Sequence, residues 1–257
     1  MVDETNDRVA LVTGAAVRVG RAIAAELARA GWRVWLHHFR SASQAQSLAD
    51  ALEAIRQDTV LGSPRADLAD ERSRADLCDE ILAPSGPAGG RLDLLINNAA
   101  SFERGPFLQR TDADLRRVLE VNLVAPLSLA RRLAPTLERH RGSIINIVDQ
   151  GAHHPWRGRI DHSLAKAALD NATRGLAAEL APIRVNAISP GTVMWPDDAD
   201  HAPGSATREH LLRRIPLHRE GTPEDVARAV TFLADSPYID GATLVVDGGR
   251  IAGLAGT

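Results

Sequence analysis

Short apolar runs and amphipathic stretches alternate along the chain. Residues 8–13 (RVALVT) are an apolar run ending at Gly14 and predict a buried strand. Residues 20–30 follow with helical spacing: Ile23, Leu27 and Ala30 share a face and Gly31 closes it. Residues 32–38 predict a second strand, and Ser41 is placed to cap a helix running to about residue 57. A third strand starts over 59–61, a third helix covers 70–82, and 84–90 (PSGPAGG) is a loop too short to link domains. Residues 92–96 predict a fourth strand and 111–139 one long helix capped near Thr111. A fifth strand (143–148), a helix (160–180) and a sixth strand (183–188) follow. Residues 223–234 predict a helix with proline in its first turn, and 243–246 a last short strand. The strands are continuous apolar runs, which fits burial on both faces. The pattern predicts one α/β domain over 1–257, a doubly wound parallel sheet of about seven strands with helices on both sides. The polar stretch 196–205 (PDDADHAPGS) is the one irregular insertion, placed where a lid over a cleft would attach.

Composition narrows the function. The chain has 257 residues, 44% hydrophobic and 25% charged, and a net charge of −3, which argues against a dedicated nucleic-acid binder. No apolar run approaches the roughly 20 residues that span a bilayer, so no membrane partner is expected. The start is acidic and polar and shows no signal peptide. The lone Cys78 excludes an internal disulfide framework and a cysteine metal cage, no metal site is expected, and a reducing cytoplasmic setting suits it. Of the 30 basic residues 29 are arginine; the single lysine is Lys166, and the single tyrosine is Tyr238. A lone lysine in so arginine-rich a chain points to a place where guanidinium does not serve.

Thr13-Gly14-Ala15-Ala16-Val17-Arg18-Val19-Gly20 lies between the first strand and first helix, where glycines let a pyrophosphate approach the helix N-terminus. The second strand ends in His37-His38-Phe39-Arg40-Ser41 and carries no acid for a ribose 2′-hydroxyl. Arg40, Ser41 and Arg18 offer donors for a 2′-phosphate, which favours NADPH over NADH; a solvated basic edge is the alternative. Asp67, with Leu68 after the third strand, is placed to accept from an adenine amino group or is an ordinary turn residue. Asn97, Asn98 and Ala99 follow the fourth strand at the carboxyl edge, and Phe102 next to Ser101 is placed to stack on a planar ring or to pack in the core. Asp149 ends the fifth strand. His162 and Lys166 share one helical face at i and i+4.

Together these residues resemble the short-chain dehydrogenase/reductase family over essentially the whole chain, and so a Rossmann-type fold. The family pattern appears as Thr13-Gly14…Gly20, Asn97-Asn98-Ala99-Ala100, Asp149, His162…Lys166 and Pro190-Gly191. The pteridine reductase branch is closer still, through Arg18, the His37–Ser41 run, Ser101-Phe102 and Ile-Ile-Asn-x-Val-Asp ending at Asp149. The resemblance implies that Gly14, Arg18, Val19, Gly20, Arg40, Ser41, Asp67, Leu68, Asn98, Ala99, Lys166, Pro190 and Gly191 hold NADPH or NADP⁺. It implies that Phe102 stacks a pterin against the nicotinamide, that Arg18 reaches both, and that Asn122 supports Lys166. It also implies a homotetramer, formed through helices 111–139 and 160–180.

One departure stands out. The family's tyrosine belongs four residues before Lys166, where this chain has His162. Tyr238, near the C-terminus, cannot substitute. An imidazole reaches roughly 2 Å less far than a phenol, so a bridging water to substrate is expected. The hypothesis is that Asp149, His162 and Lys166 supply or relay a proton during hydride transfer to a C=N bond of a pterin or other cyclic imine. The alternatives are an NADPH-dependent reductase of a ketone or 3-oxoacyl group, and a non-catalytic NADP-binding sensor or scaffold. Trp156 and Trp195 lie in segments that would flank the substrate, with Trp195 expected to touch it.

Overall fold

A computed structural model of the chain describes residues 8–195 and 202–254. Seven strands, β1 (Val9–Val12), β2 (Arg33–Leu36), β3 (Val60–Gly62), β4 (Leu94–Asn97), β5 (Ser143–Ile147), β6 (Arg184–Pro190) and β7 (Thr243–Val246), form one sheet in the order β3-β2-β1-β4-β5-β6-β7. Every pairing is parallel. The order reverses between β1 and β4, so a crevice opens at their carboxyl ends.

The apolar runs are continuous because alternate residues serve different cores. Ala10, Val12, Leu94, Ile96 and Ile145 face α1 (Arg18–Arg29) and α8 (Pro223–Ala234), where Ile23, Leu27, Val230 and Leu233 meet them. Val9, Leu11, Leu95 and Ile144 face α3 (Glu71–Leu82) and α5 (Ala125–Arg139) through Leu77, Ile81, Leu129 and Leu133. Each such fully buried Leu or Ile contributes about 1.5–3 kcal/mol. The helix α2 (Ala42–Ile55) and the twenty-residue α6 (Ile160–Glu179) match their expected positions. No helix among the described residues is long and apolar enough to cross a membrane.

The long helix expected over 111–139 is not one α-helix. It runs as α4 (Asp112–Leu119), a π turn over Glu120–Val124, and α5. Pro126, at the start of α5, has no N–H for the Asn122 carbonyl, and its ring crowds that carbonyl. The turn widens, with the Ala125 N–H reaching the Glu120 carbonyl five residues back. The helices α7 (Ala206–Arg213), capped by Ser205, and α9 (Arg250–Leu254) were not expected. Most of the polar insertion, residues 196–201, lies outside the described residues.

Candidate active site

The carboxyl rim forms a cleft of about 630 Å³. At one end lies the glycine turn. Gly14 sits at φ +64°, and a Cβ at Gly20 would stand 2.1 Å from the Gly14 carbonyl oxygen, so only glycine fits there. The turn is pinned from two sides. The Asn98 amide donates to the Thr13 and Gly14 carbonyls at 2.8 and 3.2 Å, and the Thr13 hydroxyl accepts from the Asn98 and Ala99 N–H groups. From the other side the Gly14 N–H donates to His37 Nδ1 at 3.1 Å, while His37 Nε2–H donates to the Ala66 carbonyl at 3.1 Å. Burial pushes the His37 pKa down to about 4. His37 therefore clamps the turn, a role the residue pattern did not signal.

The turn fits a dinucleotide. Val17, the N-cap of α1, offers no capping oxygen, and the first turn of α1 carries no acid. Its first residues, Arg18, Val19 and Gly20, line the cleft, and Arg18 adopts a left-handed φ of 54°. Such an end favours a phosphate. At the β2 end, Ser41 is the N-cap of α2 yet its side chain makes no capping bond, and Arg40 is exposed. Both line the cleft and could hold a 2′-phosphate. Asp67 lines it too, with one oxygen on the Ala69 N–H at 3.0 Å and the other 3.8 Å from Arg117.

At the other end stands an ionisable cluster. Asp149 follows β5 and accepts from the Gly151 N–H at 2.7 Å. His162 and Lys166 stand beside it on the first turns of α6, His162 in contact and Lys166 acting through its charge. His162 Nε2 lies 2.5 Å from Asp149 Oδ2. Burial pushes the Asp149 pKa up, but the His162 hydrogen bond, the His162 and Lys166 charges and the Gly151 N–H hold it below the ordinary carboxylate range. Lys166 is buried, which lowers its pKa against the pull of Asp149, and its Nζ donates to the Ile147 carbonyl at 2.6 Å.

The π turn sets the other side of His162. Asn122, fully buried on that turn, accepts the Ser101 N–H at Oδ1 (2.7 Å), which fixes its amide. Its Nδ2 then points to the Ser101 carbonyl (2.9 Å) and His162 Nδ1 (3.1 Å). The same Nδ1 is 3.1 Å from the Ser101 carbonyl. Asn122 thus meets His162 rather than Lys166, and it supports the site without lining the cleft.

The remaining expected residues, Val19, Leu68, Ala99, Pro190 and Gly191, line the same cleft, as do Phe102 and Trp156. Phe102 packs edge-to-face against His162 and Trp156, at 4.7 and 5.8 Å between centroids. Trp195, expected at the substrate, is not among the cleft residues: its indole N–H donates to Glu220 and Arg208 lies over its ring. Tyr238 is fully exposed on a surface loop.

A glycine turn at the switch point and an aspartate, imidazole and ammonium at the same rim define a nucleotide-dependent oxidoreductase. A family profile described as Enoyl-(Acyl carrier protein) reductase matches residues 14–250. The chain is 35% identical to pteridine reductase 1 of Leishmania tarentolae, over 94% of this chain and 95% of that protein. It is 31% identical to the 3-oxoacyl-[acyl-carrier-protein] reductase of a Synechocystis strain, over 95% and 97% of the two. A solved putative NAD(P)-dependent gluconate 5-dehydrogenase from Beutenbergia cavernae, with bound NADP, superposes with a TM-score of 0.85 at 33% identity, covering 95% of this chain and 97% of that one. The chain belongs to the short-chain dehydrogenase/reductase family, whose members are NAD(P)-dependent oxidoreductases.

Proposed function

We propose that this protein is an NADPH-dependent reductase of a C=N bond in a planar heterocycle, a dihydropterin or another cyclic imine. The glycine turn and the uncapped start of α1 hold the pyrophosphate with Arg18, and Arg40 and Ser41 hold the 2′-phosphate. Lys166, fixed by the Ile147 carbonyl, keeps further N–H groups for the nicotinamide ribose. Bound NADPH supplies the hydride to the carbon of the C=N bond.

The observation that carries the reading is the Asp149–His162 pair. The His162 side chain is 3% exposed and that of Asp149 18%, so Asp149 is the member of the pair that a substrate meets. A doubly protonated His162 ring passes its Nε2 proton across 2.5 Å to Asp149 Oδ2 and on to the substrate nitrogen, and is left neutral with its proton on Nδ1, facing the Ser101 carbonyl. Nδ1 has a partner in either state: unprotonated it accepts from Asn122 Nδ2–H, protonated it donates to the Ser101 carbonyl. An imine nitrogen is basic and takes its proton readily, so a carboxyl relay suffices without a phenol.

Similarity to 3-oxoacyl reductases supports ketone reduction as a second reading. The test is NADPH oxidation against dihydropterins, cyclic imines, ketones and 3-oxoacyl thioesters. Turnover of the first two classes, lost in D149N, is the expected result. Turnover confined to ketones or 3-oxoacyl groups would replace the reading with the second. NADPH binding without turnover of any class would leave a binding protein.

A further inference from the structure

We propose that the rim of the cleft beyond Phe102 is an anion subsite, built by Arg159 and Arg104, that takes a carboxylate or phosphate carried on a side chain of the substrate. The inference rests on the reductase reading and adds the charge of the substrate's tail.

Two loops meet at this rim, joined by the Gly105 N–H donating to the Gly158 carbonyl at 3.0 Å. The Arg159 guanidinium lies over Phe102, its Cζ 3.6 Å from the ring centroid, and its Nη1 donates to the Phe102 carbonyl at 2.9 Å. Arg104 runs along the neighbouring loop, where a Cβ at Gly158 would stand 3.7 Å from its Cγ and 4.0 Å from its Nε. The two guanidinium groups are close enough to act on each other: burial lowers the Arg159 pKa, and the Arg104 charge lowers it further.

Two carboxylates lie close by in the chain, one of them, Glu103, in the cleft itself, but both are paired elsewhere. Glu103 and Asp161 are the neighbouring carboxylates, and Arg110 takes both, at 3.1 and 2.8 Å. Among the described residues neither Arg104 nor Arg159 has a carboxylate partner. Two like charges left adjacent favour an anion that bridges them, and guanidinium N–H groups bind carboxylate or phosphate in charge-assisted pairs. The placement says whose anion it is. Phe102 stands between Arg159 on its face and His162 at 4.7 Å, so a flat ring beside the Asp149–His162 pair sends a substituent across Phe102 toward the guanidinium groups.

The experiment compares a dihydropterin with a neutral methyl side chain and one with a carboxylate-bearing side chain. Values of kcat/KM, and calorimetric affinities for the enzyme saturated with NADP⁺, are measured for the wild type, R104Q, R104E and R159Q. The expected result is a preference for the carboxylate compound that falls roughly tenfold in R104Q and R159Q, further in R104E, and shrinks as salt is raised. Equal preference in all four proteins overturns the subsite while leaving the reductase reading intact. If neither compound turns over, the dihydropterin form of the reductase reading fails, and the affinities still decide the subsite: weaker binding of the carboxylate compound in R104E upholds it, and unchanged binding removes it. An effect of R104E confined to substrates carried on an acyl carrier protein would assign the arginines to protein docking and overturn the proposal.

Discussion

His37 makes two hydrogen bonds that together require a neutral ring. Nδ1 accepts from the Gly14 N–H, so it carries no proton, and Nε2–H donates to the Ala66 carbonyl. Protonation would set two donors face to face at the turn expected to cradle the pyrophosphate. Burial is the main reason that the pKa falls from 6.5 to about 4; the Ala66 carbonyl opposes the fall and the charge of His38 adds to it. The unfolded chain therefore binds a proton here that the folded chain refuses. The stability this group confers is complete above the unfolded value near 6.5 and is lost as the pH falls toward about 4. The full loss is about 3 kcal/mol, and at about pH 5 some 2 kcal/mol of it has appeared. The variant H37F keeps a buried ring but cannot titrate, and it leaves the Gly14 N–H without its acceptor, a cost of about 1–3 kcal/mol at neutral pH. Urea unfolding of both proteins at neutral pH and at about pH 5 isolates the effect, because contributions from other groups cancel in the difference. The wild type is expected to lose about 2 kcal/mol more than H37F over that interval. Equal losses in the two proteins would refute the reasoning.

Other outcomes follow from the same geometry. R40D removes a cation from the 2′-phosphate position and supplies an acid for a 2′-hydroxyl, so kcat/KM should fall for NADPH by about tenfold or more and rise for NADH; an unchanged ratio would discard the assignment. D149N leaves the nucleotide turn intact but breaks the relay, so kcat should fall by about 10²–10⁴-fold while NADPH affinity by fluorescence titration is kept. The Asp149 pKa is held below the ordinary carboxylate range, so Asp149 should stay an ionised acceptor for His162, and kcat should be kept, as the pH is lowered into the ordinary carboxylate range; a loss of kcat already there would overturn its placement in the relay. N122L deletes both the acceptor for the Ser101 N–H and the donor to His162 Nδ1, and should lower kcat and move the pH profile together. A lower kcat with an unmoved profile would limit Asn122 to holding the loop.

Much of the architecture is written locally. A strand buried on both faces must be apolar at every position, as in Val9–Val12, and a helix beside a core must repeat its apolar positions, as Ile23 and Leu27 do. The cleft residues could be named for a related reason: glycine, amides and ionisable groups fall just after strand ends, and in a parallel sheet those ends share one edge. The spacing of His162 and Lys166 is likewise a property of a single helix. What no local pattern contains is pairing between distant segments. His37 earns its role from Gly14 and Ala66, 23 and 29 residues away. The turn at Glu120–Val124 looks like ordinary helix until Asn122 is seen bridging Ser101 and His162. Trp195 turns to Glu220, and Arg159 settles on Phe102, 57 residues apart along the chain. Periodicity dictates which face of an element is buried, because burial follows from neighbours within a few residues. Which polar groups then meet is decided only when the sheet brings its loops to a common rim.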